Sequence, residues 1–223
     1  MPPPRTAEAA RVVERVSTAH GELVLRQAGT DFEIISNGVF LMDTRDGRSE
    51  RLLVTSALAA CRAAAPRILI GGLGAGFSLA AAAREASVAA IDVVEISPEI
   101  IRWHGSYLRD ITALAWADPR VRVINADIAE WLAQRPGGYD VICLDVDNGP
   151  GWTVRDANRA LYGDGGLDRL RAALSQGGTL AVWSAAADPK FEDRLRRRLT
   201  AVQTRQVPVA RGEPDVIYLA NRP

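Results

Sequence analysis

From Arg67 to the end of the chain, compact apolar runs alternate with segments long enough to form helices. The runs are "RILIGG", "AAIDVVEIS", "RVRVINAD", "YDVICLDVD" and "GTLAVWSA", followed by "RQVPVA" and "DVIYLANR". Strands this uniformly apolar are buried on both faces, which demands a parallel sheet with helices above and below. The last two runs are joined only by "RGEP". That is too short for a helical crossover, so they are expected to form an antiparallel hairpin at one side of the sheet.

Five parallel strands closed by such a hairpin describe an α/β fold, a Rossmann-like doubly wound sheet of the methyltransferase type with strand order 3-2-1-4-5-7-6. Ahead of it, Gly21–Asp43 alternates apolar and polar positions around the turn signals "AGTD" and "SNG", as a small antiparallel β-meander does. "MPPPRTAEAARVVERV" reads as a Pro-rich start and an amphipathic helix, and Ser49–Ala65 as a helix ending before Pro66. The expected domains are therefore residues 1–48, an N-terminal helix and β-meander, and residues 49–223, the Rossmann-like unit.

Composition narrows the function. Lys+Arg and Asp+Glu each total 27, and no basic block offers the phosphate-neutralising surface of a nucleic-acid binder. The cluster Arg194, Arg196, Arg197 and Arg198 falls on the outer face of a helix whose Leu195 and Leu199 point inward. Two cysteines, Cys61 and Cys143, sit inside apolar runs and suit a reducing compartment. There is no signal-peptide h-region and no run of the ~18 apolar residues a membrane span needs, so a cytoplasmic protein without membrane partners is expected. His20 and His104, the two histidines, lie far apart in sequence. No metal is expected.

The chemistry gathers at the strand ends. The first strand runs into Gly72-Leu73-Gly74-Ala75-Gly76, where glycines let a ligand approach the backbone at a helix N-terminus. Phe77 stands where a dinucleotide fingerprint would place its last glycine, which argues against NAD. About 19 residues further on, the second strand ends in Glu95-Ile96, an acid suited to both ribose hydroxyls. The third ends at Asp127, suited to an adenine amino group, with Ile128 as a ring-packing neighbour. Ligands bind at the carboxyl ends of such strands, so the three together indicate an adenosyl ligand. The fourth delivers Asp145 to the reacting end of that ligand, where a carboxylate favours a sulfonium and can accept a proton from an incoming amine. Asp147 and Asn148 follow at a turn, and Trp152 and Trp183 are candidates for the wall of an acceptor pocket.

With these residues in view the sequence resembles the spermidine synthase family of polyamine aminopropyltransferases. The motifs are "NGVFLM", "SERLL", the glycine loop, "VVEIS", "NADIAEWL", "YDVICLDVDNGP" and "LSQGGTLAVWSA". The resemblance implies a β-hairpin domain on a Rossmann-like transferase domain, and a homodimer. It also implies S-adenosylmethionine or its decarboxylated form as co-substrate, an amine-type small-molecule acceptor, ribose at Glu95, adenine at Asp127 and a proton-accepting Asp145. The chain departs from the family pattern G-G-G-D-G-G with "GGLGAG", from D-S-S-D-P with "DVDNG", which puts Asn148 where a second acid is expected, and from a glutamine after the hairpin with Met42. The family's Y-H-E segment has no match in "SERLLVTSAL". A loop without an acid leaves Gly72–Gly76 N–H groups for a donor carboxylate, which favours methyl transfer, whereas overall similarity favours aminopropyl transfer. A non-catalytic nucleoside-binding homologue is the third expectation.

Overall fold

A computed structural model describes residues 10–134, 137–210 and 212–223. The chain divides into two compact units, Met1–Gly47 and Arg48–Pro223.

In the first unit, strands β1 (Arg11–Thr18), β2 (Gly21–Ala28), β3 (Asp31–Ser36) and β4 (Val39–Asp43) form one antiparallel sheet in sequential order. The Asn37-Gly38 turn has positive φ at both residues, 51° and 78°, the geometry that suits a two-residue hairpin. The helix expected at the N-terminus is corrected over Arg11–Val16, which belongs to β1; residues 1–9 lie outside the described residues. Val12, Val13 and Val16 are β-branched, and β2 offers cross-strand partners such as Glu22, whose carboxylate pairs with Arg15 at 2.5 Å. Tertiary pairing thus overrides a period that fits either element.

The second unit opens with helix α1 (Arg48–Ala60). It ends five residues before the expected Ala65, because its buried face is spent at Leu53, Val54 and Ala57. Then follow β5 (Arg67–Gly71), α2 (Phe77–Arg84), β6 (Ala90–Glu95), α3 (Pro98–Trp103), α4 (Arg109–Trp116), β7 (Val121–Asn125), α5 (Ile128–Gln134) and β8 (Tyr139–Leu144). After a 3-10 turn at Asp156–Asn158 come α6 (Arg159–Tyr162), α7 (Asp164–Ala173), β9 (Leu174–Ser184), α8 (Pro189–Arg196), β10 (Thr200–Val207) and β11 (Asp215–Asn221).

The seven strands lie in the order β10-β11-β9-β8-β5-β6-β7. Strands β5 to β9 are parallel and β10–β11 is the antiparallel hairpin, so the order within this unit is 3-2-1-4-5-7-6, as expected. Alternate residues of each strand serve opposite layers. Ile142, Leu144, Leu180, Val182 and Tyr218 pack with Leu132, Leu167, Leu170 and Phe191 in one buried cluster. On the other side α1 packs on α2, β8 and β9. Phe191, Leu195 and Leu199 are buried while Arg196 and Arg197 of the arginine cluster are exposed.

Candidate active site

Register lines up the expected residues. Gly71 pairs with Val94 on one side and Leu144 on the other, and Leu144 pairs with Val182. One residue further, Glu95, Gly72, Asp145 and Trp183 form a lateral row at the carboxyl ends of β6, β5, β8 and β9. The Asp145 N–H donates to the Gly71 carbonyl at 2.8 Å and the Gly72 N–H to the Val94 carbonyl at 2.9 Å, which ties the row together.

Gly72 has φ of 90°, and a Cβ there would run into the carbonyl oxygen of Asp145. Strain and collision act together, so Gly72→Ala is expected to destabilise the protein by about 3 kcal/mol or more in denaturant unfolding. An unchanged midpoint would contradict that packing.

Glu95 is buried and bound by the loop it faces. Its Oε2 accepts from Leu73 N–H at 2.8 Å and its Oε1 from Ser97 N–H at 2.8 Å. Burial pushes its pKa up, and N–H donors of Leu73, Ser97, Gly74 and Ile96 pull it back down. Ile96 is half-buried, its carbonyl accepting from Asn125 Nδ2 at 3.0 Å. The loop N–H groups are largely spent internally, since Gly72 bonds Val94, Leu73 bonds Glu95 and Gly76 bonds the Leu73 carbonyl at 2.8 Å. Of the N–H groups offered to a donor carboxylate on sequence grounds, those of Gly72, Leu73, Gly74 and Gly76 are therefore already engaged.

Asp127 caps α5, its Oδ1 accepting from Ala129 N–H at 2.7 Å, and Ile128 belongs to the buried cluster beside Gly71. Asp147 has φ of 58° and organises the following loop, its Oδ2 accepting from Asn158 Nδ2 at 2.6 Å and Arg155 N–H at 3.2 Å. Asn148 is buried and its carbonyl accepts from Ala185 N–H at 3.1 Å. Trp152 is 58% exposed, whereas Trp183 is buried in the row with Asp145. Among the described residues, Asn148 Nδ2 and Trp183 Nε1 are buried donors without a hydrogen-bond partner.

Asp145 is strongly perturbed. Ser78 Oγ donates to its Oδ2 at 3.2 Å, but loss of hydration, and then the charges of Glu50, Asp215 and Glu95, push its pKa from 3.8 to about 8. Two of those acids, Glu50 and Asp215, escaped the sequence reading. Glu50 is buried in the first turn of α1 and accepts from Ser49 Oγ at 3.0 Å. Asp215 opens β11. An acid in a first helical turn looks like a complement to the helix dipole, and one after "RGEP" looks like a hairpin acid, so only the folded topology joins them to Asp145. The arrangement is a glycine loop and a strand-end acid beside a buried aspartate that feels the charges of Glu50, Asp215 and Glu95.

The spermine/spermidine synthase domain model matches residues 49–201. The chain belongs to the spermine/spermidine synthase family. Polyamine aminopropyltransferase 2 of Ralstonia nicotianae is 27% identical over 146 residues, covering 64% of this chain and 28% of the relative. The polyamine aminopropyltransferase of Prochlorococcus marinus strain MIT 9312 is 25% identical over 183 residues, covering 76% of this chain and 62% of the relative. The chain thus spans less than two thirds of the length of these relatives. A spermidine synthase solved with the transition-state analogue AdoDATO superposes with a TM-score of 0.82 at 16% identity, over 96% of this chain and 74% of that one. Spermidine synthase from Thermotoga maritima gives 0.79 at 16% identity, over 96% and 73%. These two share the family fold of Arg48–Pro223 together with its sheet-bearing N-terminal unit. Among the described residues no helix is long and apolar enough to cross a membrane, and no group of three or more His, Cys, Asp or Glu is placed to hold a metal.

Proposed function

We propose that the protein is an aminopropyltransferase that uses decarboxylated S-adenosylmethionine and an amine acceptor. The observation that carries this reading is the carboxylate group of Asp145, Glu50, Asp215 and Glu95 beside the glycine loop. A site whose aspartate is pushed up to about 8 by burial and like charge favours cations and penalises a further carboxylate. The decarboxylated donor brings an ammonium and a sulfonium there; the methyl donor brings an α-carboxylate whose loop N–H partners are engaged elsewhere.

In this reading Gly72, Gly74, Gly76, Glu95 and Ile96 hold the ribose side of the donor, with Asp127 and Ile128 at its adenine. The donor supplies a carbon activated by the positive sulfur. The acceptor nitrogen forms its bond to that carbon as the carbon–sulfur bond breaks, the electron pair stays on sulfur, and Asp145 takes the proton the nitrogen gives up. Holding the neutral amine in line supplies most of the acceleration. Asp147, Asn148, Trp152 and Trp183 make the acceptor side. Each unpartnered buried donor there costs about 1–3 kcal/mol, which an acceptor group with a lone pair would recover.

Incubation with decarboxylated S-adenosylmethionine and a panel of primary amines, with methylthioadenosine quantified, tests the assignment. Amine-dependent release is the expected result. No release with any amine tested, from folded protein, would return the non-catalytic alternative. The family's dimers supply the expectation of a homodimer, which sedimentation would measure.

A further inference from the structure

His104 lies between α3 and α4, outside every motif that the proposed reaction uses, yet it touches the glycine loop. The residue is 2% exposed, with Nε2 2.9 Å from the Gly74 carbonyl oxygen and Nδ1 2.9 Å from Thr112 Oγ1. A carbonyl only accepts, so Nε2 carries the hydrogen, and in the neutral ring Nδ1 accepts from the Thr112 hydroxyl. Burial lowers the pKa of this imidazole, which keeps the neutral form in place. Trp116 stacks on the ring at 5.7 Å between centroids and 15° between planes. Beneath the loop the fit leaves no slack: a Cβ on Gly76 would sit 2.8 Å from His104 Cε1 and collide with the Thr112 methyl.

The same loop residue is held from its other side. Gly74 has φ of 49°, and its N–H is among the donors that lower the pKa of Glu95. An anion therefore takes the N–H of Gly74 while a neutral donor takes its carbonyl. Burial alone does not call for a polar side chain at position 104, since Trp103, Leu108 and Ala115 nearby in the chain are buried too. What the imidazole adds is the pair of directed hydrogen bonds.

We propose that His104 is a positioning residue: with Thr112 orienting its ring, it fixes the Gly74 carbonyl and thereby the loop conformation that receives the donor nucleoside. This rests on the adenosyl-donor reading above. The effect reaches the nucleoside through the loop, so it belongs to donor binding and not to proton transfer at Asp145.

The test uses the full chain with His104→Phe, His104→Gln and Thr112→Val, methylthioadenosine as calorimetric probe, and hydrogen exchange of the Leu73–Gly76 amides. Glutamine places an N–H donor near the position of Nε2; phenylalanine fills the space without one. His104→Phe should weaken methylthioadenosine binding at least tenfold and speed loop exchange at least tenfold, while His104→Gln stays within threefold on both. Thr112→Val, which keeps the volume and loses the hydroxyl, should weaken binding at least threefold, and it carries the test if His104→Phe does not fold. Wild-type affinity in His104→Phe, or equal losses in the phenylalanine and glutamine variants, would overturn the proposal. If the wild-type protein binds no adenosyl compound the donor reading falls, and the exchange data alone decide: faster loop exchange in the phenylalanine variant but not in the glutamine variant upholds the positioning role, and equal exchange in all variants removes it.

Discussion

Asp145→Asn is expected to lower aminopropyl turnover at pH 8 by about 10²- to 10⁴-fold, the range a positioned general base supplies. Asparagine keeps the shape of the side chain and the Ser78 contact, so the loss isolates the proton acceptor. In the wild type, turnover should climb with pH and level off above about 8, because only the ionised carboxylate can take a proton from the amine. The acceptor's own deprotonation pushes in the same direction, and the part of the climb missing from Asp145→Asn is the part that belongs to Asp145.

Stability moves the opposite way. The pKa of Asp145 is raised from 3.8 to about 8 in the folded state, so the folded protein holds a proton that the unfolded chain gives up. That contribution is fully present below about pH 4 and is lost progressively as pH rises to about 8. A variant that cannot ionise avoids the loss. Asp145→Asn should therefore melt at least about 3 °C above wild type at pH 8.5, with little difference at pH 4. A variant both slower and more stable is what a strained catalytic acid predicts; equal melting temperatures at pH 8.5 would mean that the carboxylate is not held against its own charge.

The second large effect concerns the donor. Glu95→Ala should weaken binding of the adenosyl donor by about 10- to 100-fold in calorimetry, the equivalent of losing hydrogen bonds to a charged group. Two losses combine there. On the proposed assignment the ribose hydroxyls lose their acceptor, and the Leu73 and Ser97 N–H groups lose the carboxylate that sets the loop. Glu95→Gln retains an oxygen for one of those donors and should fall between the two. Full affinity in Glu95→Ala would remove the ribose assignment and leave Glu95 as a loop anchor alone.

The sheet was legible in the sequence because burial on both faces leaves continuous apolar runs, and because "RGEP" is too short to permit a parallel crossover. Element ends were less so. "RVVERVST" fits a helical stripe and a strand equally well, and only the availability of β2 as a partner decides for β1. The row Glu95, Gly72, Asp145 and Trp183 follows from the register of neighbouring strands, and its members sit at or near the ends of the apolar runs. Its electrostatics was not legible in the sequence. Counting acids within motifs suggested a pocket poor in carboxylates, since the loop acid is absent and Asn148 replaces another. Glu50 and Asp215 restore negative charge from a helix start and a hairpin, far from Asp145 in sequence, and nothing local marks them. Conversely Asp127 and Asp147, promising as strand-end acids, spend hydrogen bonds on capping α5 and ordering the loop after β8.

Selection for a donor without a carboxylate is measured by a paired calorimetric titration with decarboxylated S-adenosylmethionine and S-adenosylmethionine, at pH 8 and low salt. The carboxylate group around Asp145 predicts that the decarboxylated donor binds at least tenfold more tightly and that Glu50→Gln narrows the gap. Equal affinities, or tighter binding of S-adenosylmethionine, would contradict it.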